Sequence, residues 1–382
     1  MPFRVREIAG VALAISAIFF LNAPCYPMTS DLLAFGNFGS LANPANIDPS
    51  TVTRAEGTFY NIVYNNVIPA ISYYGDKTGP LFRGDKGFIK ESKNYELYFS
   101  SRNFAFSYAL TENYDYNATG DTVRLLQHFN DNSHPVGESF DVGLTALEEK
   151  EEEAKLYYCQ ELAGNFVKNL RVGICAKILQ GSHYANGGIA GDASQENETT
   201  TNFNFNLDTY LTKPVTVGRG IGVDLGMTCQ VNEALSLEMI LENLAAQMEW
   251  LSLKKITATG NSGNVIVDGN GNIINNPTIS GYKFEENLSK RPLFKSIWGA
   301  KYKQSDQLSF ITILEPYTDV TYYWVGSEWK PLQALKISAG YGSKFEAASL
   351  GVEWGFLKCL LSTNDLSLSE ARSLGLLIGI SL

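Results

Sequence analysis

The chain of 382 residues is poor in charge, with Asp, Glu, Lys and Arg making up 18% of it. The charge it has leans acidic, at a formal net −10. A nucleic-acid partner usually requires a basic patch, so none is expected. The three histidines, His128, His134 and His183, are scattered and share no metal-ligand spacing. No metal and no cofactor are expected. The five cysteines include no CxxC pair. There is no catalytic triad and no phosphate loop, and no spacing brings two carboxylates together for acid–base work. The chain does not read as an enzyme. Long apolar runs are also missing. Past the first 25 residues nothing approaches the roughly 20 apolar residues of a spanning helix.

The start reads as a processing segment over residues 1–25. Arg4 and Arg6 precede the apolar stretch 8–21, which has signal-peptide length. Cleavage near Ala23 or Cys25 fits, and Pro24 argues against a lipidated Cys25. An exported chain without apolar helices either stays soluble or spans a membrane as a closed barrel. Cys159, Cys175, Cys229 and Cys359 would remain. Cys159 and Cys175 flank a turn-like AGNFVKN and could form a disulfide across a hairpin or stand as two free thiols.

What the sequence has in quantity is glycine (34), tyrosine (20) and two-residue alternation. Residues 26–57 are rich in Asn, Gly and Pro and lack strand pattern. From residue 58 onward, apolar and polar residues alternate in strand after strand. Phe203, Phe205 and Leu207 interleave with Asn202, Asn204 and Asn206, and Ile221, Val223 and Leu225 with Gly222, Asp224 and Gly226. About 14 strands fit, many near the length of a tilted spanning strand, with no amphipathic helix in the body. The mean hydropathy of −0.09 suits a wall that is apolar outside and polar inside. The final segment continues the pattern: Leu374, Leu376, Ile378, Ile380 and Leu382 share one face and Gly375 and Gly379 the other. Such a strand needs a partner, and pairing with the first strand would remove both edges. The expected fold is all-β, a closed antiparallel transmembrane barrel of about 14 strands over 58–382. A soluble β-sandwich would alternate too; strand length and number favour the barrel.

Several ordered motifs resemble bacterial outer-membrane proteins of the FadL-like class, including its PorV-type branch. They are Gly173 with Lys177, Asp224 with Gly226, Asn243 with Leu244, and the late Gly340-Tyr341. Asn43-Pro44-Ala45 resembles the Asn-Pro-Ala motif of that family's plug, and this implies that residues 26–57 form a plug in the lumen. Gly375, Ile378 and Ile380 resemble an outer-membrane assembly signal, in which Leu382 stands where an aromatic is usual. The resemblance implies outer-membrane lipid and the barrel-assembly machinery as partners, in a diderm bacterium. It implies passive transport of small hydrophobic molecules, or alternatively a barrel that docks exported proteins for a secretion complex. A secreted β-rich adhesin is the reading that stands apart from the family.

The site expectations follow. Phe35, Phe38, Asn43, Pro44 and Ala45 would form the plug or gate. Arg171, Lys177, Asp208, Asp224 and Glu238 would face the lumen, with Asp224 pairing Arg171 or Lys177. Residues 148–153 (EEKEEE) read as a solvated loop or strand flank. Asp268-Gly269-Asn270-Gly271 reads as a hairpin turn. Trp298, Trp324, Trp329 and Trp354 fit interfacial girdles, and ordinary strand packing would look the same.

Overall fold

The computed structural model describes residues 43–47, 53–66, 86–130, 136–162, 168–197, 200–213, 216–261, 265–266, 278–317, 320–367 and 370–382. The signal segment, Phe35, Phe38 and the 268–271 turn lie outside them. The alternating stretches become strands β1 (Arg54–Asn65), β2 (Lys86–Ser101), β3 (Phe104–Thr119), β4 (Ser139–Leu162), β5 (Lys168–Asn197), β6 (Thr200–Leu211) and β7 (Gly218–Gln230). They continue as β8 (Leu235–Asn261), β9 (Val265–Ile266), β10 (Thr278–Lys290), β11 (Lys295–Lys303), β12 (Leu308–Pro316) and β13 (Thr321–Leu332). Strands β14 (Leu335–Gly342), β15 (Ala347–Trp354), β16 (Leu357–Thr363) and β17 (Ser373–Ser381) complete the wall.

Each strand pairs antiparallel with its neighbours, and the sheet closes because β1 pairs with β2 on one side and β17 on the other. Phe59 faces Ile378 and Val63 faces Leu374 across that seam. β6 and β7 both pair with β5, end to end, and form one interrupted wall strand. β10 and β11 stand in the same relation along β8. With those pairs merged and the short β9 set aside, the wall is a closed 14-strand barrel. The first wall strand begins at Arg54 rather than at residue 58, because residues 54–57 already pair with β2 and residues 56–57 with β17.

The two faces separate by chemistry. Outward side chains form an apolar belt that includes Leu97, Phe106, Leu156, Ile178, Ile221, Leu350 and Ile378, all exposed. A barrel in lipid carries such a belt; a soluble sandwich would bury it. The belt makes this an outer-membrane type of barrel. In β17, Leu376, Ile378 and Ile380 point out while Ser373, Gly375, Leu377 and Gly379 are buried inside. Tight turns join strands at one end, for example Arg102-Asn103 and Gly355-Phe356, and longer connections lie at the other. By the usual asymmetry the tight-turn end is periplasmic.

The wall is uneven. β4, β5 and β8 run 24, 30 and 27 residues, against 8 for β14 and β15, so one side rises well above the belt.

Three expectations need correction. Among the described residues the body contains one α-helix, α1 (Gly120–Asn130), between β3 and β4; its polar sequence hid it. The acidic run is no loop: residues 148–153 lie within β4 and alternate across the wall. Trp324 is no girdle residue, since it is buried on the inner face and its Nε1 donates to Ser349 Oγ at 3.3 Å. Trp324 lies over Gly326 and Gly340, and Trp250 lies over Gly181 and Gly218. A Cβ on any of the four glycines would overlap an indole ring. Trp329 and Trp354 do point outward near the periplasmic turns.

Candidate functional site

The lower lumen holds the described part of the N-terminal segment. Asn43 accepts the Ala45 N–H on its side-chain oxygen at 2.9 Å, and Pro44 supplies a pre-set φ at the start of a 3-10 turn over Pro44–Asn46. The turn rests on β5 and β7 where two glycines stand. A Cβ on Gly173 would meet the Pro44 carbonyl, and one on Gly226 would meet Asn43 Oδ1 and Pro44. Glycine is needed here for close approach of two backbones. Asn46 Nδ2 donates to Glu238 Oε2 at 3.0 Å on β8. Ile47 packs among Tyr98, Ala105, Tyr157, Cys159 and Cys175. The two cysteines are free thiols, and the Cys159 thiol donates to the Ala45 carbonyl at 3.5 Å.

Above this N-terminal turn a belt of inward charges lines the lumen. Glu153 pairs with Lys155 at 2.6 Å, and Lys155 reaches Glu96 at 4.0 Å. Lys177 pairs with Asp224 at 2.8 Å. Lys295 lies 3.9 Å from Glu315, which also pairs with Lys344 at 3.3 Å. The Lys295 and Glu315 side chains are each 1% exposed. Charges so placed survive only when paired.

Outward members of the same β4 run do different work. Glu112 and Lys150 pair at 3.1 Å, and the hydroxyls of Tyr108 and Tyr116 donate to Glu152 and Glu148. They form a polar collar above the lipid belt.

Higher on the inner face, beside the tall wall, lies an apolar cluster. Leu147, Leu179, Tyr184, Met248, Trp250 and Leu253 are buried together, with Tyr210 and Leu288 packed against them. Tyr184 and Trp250 rings lie 5.2 Å apart. Lys290, ion-paired to Glu149, sits 5.5 Å over the Tyr184 ring. Still higher, Lys255 lies 4.8 Å over the Tyr210 ring.

Beside this cluster the wall is interrupted. The β8–β10 register ends at Met248↔Lys290 and the β8–β11 register resumes at Glu242↔Lys295. Residues 291–294, including Pro292, form no strand between them. Proline lacks the N–H a ladder needs. On the other side of β8 the register with β7 also shifts between Val223 and Leu225, and Asn243 in that bulge has φ 55°. Asn243 binds three ways: its N–H donates to Asp224 Oδ1 at 2.7 Å, its Oδ1 accepts from Lys177 Nζ at 2.7 Å, and its Nδ2 donates to the Leu293 carbonyl at 2.9 Å.

Most of the lumen residues chosen from sequence therefore meet. Lys177, Asp224 and Glu238 face inward around the plug turn and the bulge, and Asp224 takes Lys177 as its partner. Arg171 pairs instead with Glu161 at 3.8 Å near the periplasmic rim. Asp208 is exposed on the inner side of the wall above the belt, accepting from Thr257 Oγ1 at 3.3 Å. The residues missed were Glu96, Glu153, Lys155, Lys295, Glu315 and Trp250. The signals for them were charges two apart within a strand and Pro292 inside an alternating run.

No protein-family model matches the chain, and no curated protein matches it in sequence. Solved structures do match its fold. The Ralstonia pickettii toluene transporter TbuX aligns with a TM-score of 0.50 at 11% identity, over 89% of this chain and 91% of that one. The Pseudomonas putida toluene transporter TodX aligns with a TM-score of 0.50 at 10% identity, over 93% of each chain. A TodX monoaromatic hydrocarbon channel mutant lacking S2 and S3 gives 0.51 at 11% identity, over 93% and 94%. The FadL-like resemblance in the motifs is thus met by a likeness of fold across nearly the whole chain.

Proposed function

We propose, from the fold shared with hydrocarbon transporters, that this barrel carries small hydrophobic molecules across the outer membrane without an energy source. One observation supports the reading above others. The apolar cluster around Met248 and Trp250 borders the interruption in the wall, while the charge belt and the plug turn fill the way down. A hydrophobic solute entering from outside would meet the cluster and find a paired, charged barrier beneath it. Burying apolar surface at the cluster is favourable at about 25 cal/mol per Å², whereas crossing the belt would break ion pairs in a low-dielectric site. The sideways route through residues 243–247 and 291–294 into lipid is the easier one. Residues 43–47, with Phe35 and Phe38 before them, would keep the lower lumen shut. The β17 residues Gly375, Ile378, Ile380 and Leu382 would serve assembly by the barrel machinery.

The test is uptake of labelled toluene by cells with and without the protein. Uptake should be faster in cells that carry it, and uptake of glycerol should be unchanged. Equal toluene rates would sink the proposal. The alternative, docking of exported proteins, draws on the tall wall, where Tyr282 and Phe284 are exposed. It would gain if exported proteins co-purified with the barrel and toluene uptake did not depend on it.

A further inference from the structure

We propose that Asn243 is the latch of the side wall, its side chain standing in for the backbone ladder missing between β8 and residues 291–294. The ladder stops at Met248↔Lys290 and restarts at Glu242↔Lys295, and the Asn243 Nδ2 bond to the Leu293 carbonyl spans the interval. The geometry is specialised. The left-handed φ of 55° swings this residue out of the strand pleat, a conformation asparagine tolerates better than most residues. That swing leaves the backbone N–H free to bind Asp224 while the side chain binds across the wall. Lys177 Nζ holds both Asp224 Oδ1, at 2.8 Å, and Asn243 Oδ1, at 2.7 Å. The lysine thereby fixes which end of the amide is oxygen and turns the NH₂ toward Leu293. Asn243 closes the wall, and Lys177 and Asp224 are its positioning residues.

The plug turn lies next to this clamp. Gly173 and Cys175 precede Lys177 on the same face of β5, and Gly226 follows Asp224 on β7. The plug turn sits on both glycines. Movement of that turn would therefore be felt first by Lys177 and Asp224. That the latch governs passage of cargo rests on the transport reading above; that it closes the wall does not.

Hydrogen–deuterium exchange on the purified full chain in lipid nanodiscs reads the latch directly. Asn243→Gly keeps the backbone conformation and the N–H bond to Asp224 while removing the side-chain bonds. Exchange of the amides at 293–296 should rise about fivefold, the factor one net hydrogen bond is worth, with strands β14–β17 unchanged. Lys177→Met, which frees the amide to turn, should raise it too. Heat-modifiable migration shows whether each variant has formed a barrel. If Asn243→Gly does not assemble, Asn243→Asp removes the same donor and carries the same expectation. Wild-type exchange at 293–296 in an assembled variant overturns the latch. Toluene uptake separates the two proposals. If exchange rises but no version of the protein, wild type included, takes up toluene, the latch stands and the transport reading falls. If exchange is unchanged while uptake persists, the latch falls and transport stands.

Discussion

At the scale of single residues, the family-like motifs acquire physical reasons. Gly173 and Gly226 are glycines because the Asn43-Pro44-Ala45 turn occupies the space where a side chain would be. Gly226→Val should push the turn off its seat without preventing closure of the barrel. The check is labelling of Cys159 and Cys175, which are buried beside that turn. Both should react slowly with a maleimide in the wild type and at least tenfold faster in the variant, the factor that follows from about 1.4 kcal/mol of lost docking. Lys177→Met would leave Asp224 and the Asn243 carbonyl without their cation. Breaking a buried pair costs about 3–5 kcal/mol, read as a lower midpoint for urea unfolding in micelles. Trp250→Phe should keep toluene uptake, because the ring remains, whereas Trp250→Ala should lower it and destabilise the upper lumen by about 3–5 kcal/mol. The sequence named Lys177 and Asp224 from spacing. It could not show Asn243 bridging to Leu293, because that bond joins residues 50 apart.

At the scale of elements, alternation was the readable signal and its exceptions were the informative places. The outward and inward faces of β17 follow the sequence residue by residue, as a strict period of two requires. Arg in place of Ile378, on the lipid side, should cost about 2–4 kcal/mol and reduce the assembled fraction. Arg in place of Leu366, fully exposed in the connection before β17, should cost nothing measurable in heat-modifiable migration. β4 misled because charge is a good marker of loops in soluble proteins. In a barrel wall a charged run can serve two faces at once, Glu149 and Glu153 in the lumen and Glu148, Lys150 and Glu152 on the collar. The break between β10 and β11 was written in Pro292, but a proline within alternation does not say whether a strand ends, bulges or resumes.

At the scale of the whole molecule, strand count and closing strand sufficed to read a barrel. Its uneven wall and inward charge belt were not legible, because both depend on which strands are neighbours and on pairs such as Lys295 with Glu315 that join separate strands. The proposed exit for solute is the wall at residues 243–247 and 291–294. Bridging that interval tests it most directly. Ala245→Cys with Leu293→Cys, joined by a short bis-methanethiosulfonate reagent, should stop toluene uptake, and a reductant should restore it. Wild-type cells treated alike should take up toluene throughout. Uptake that continues at the wild-type rate with the bridge in place would contradict the account.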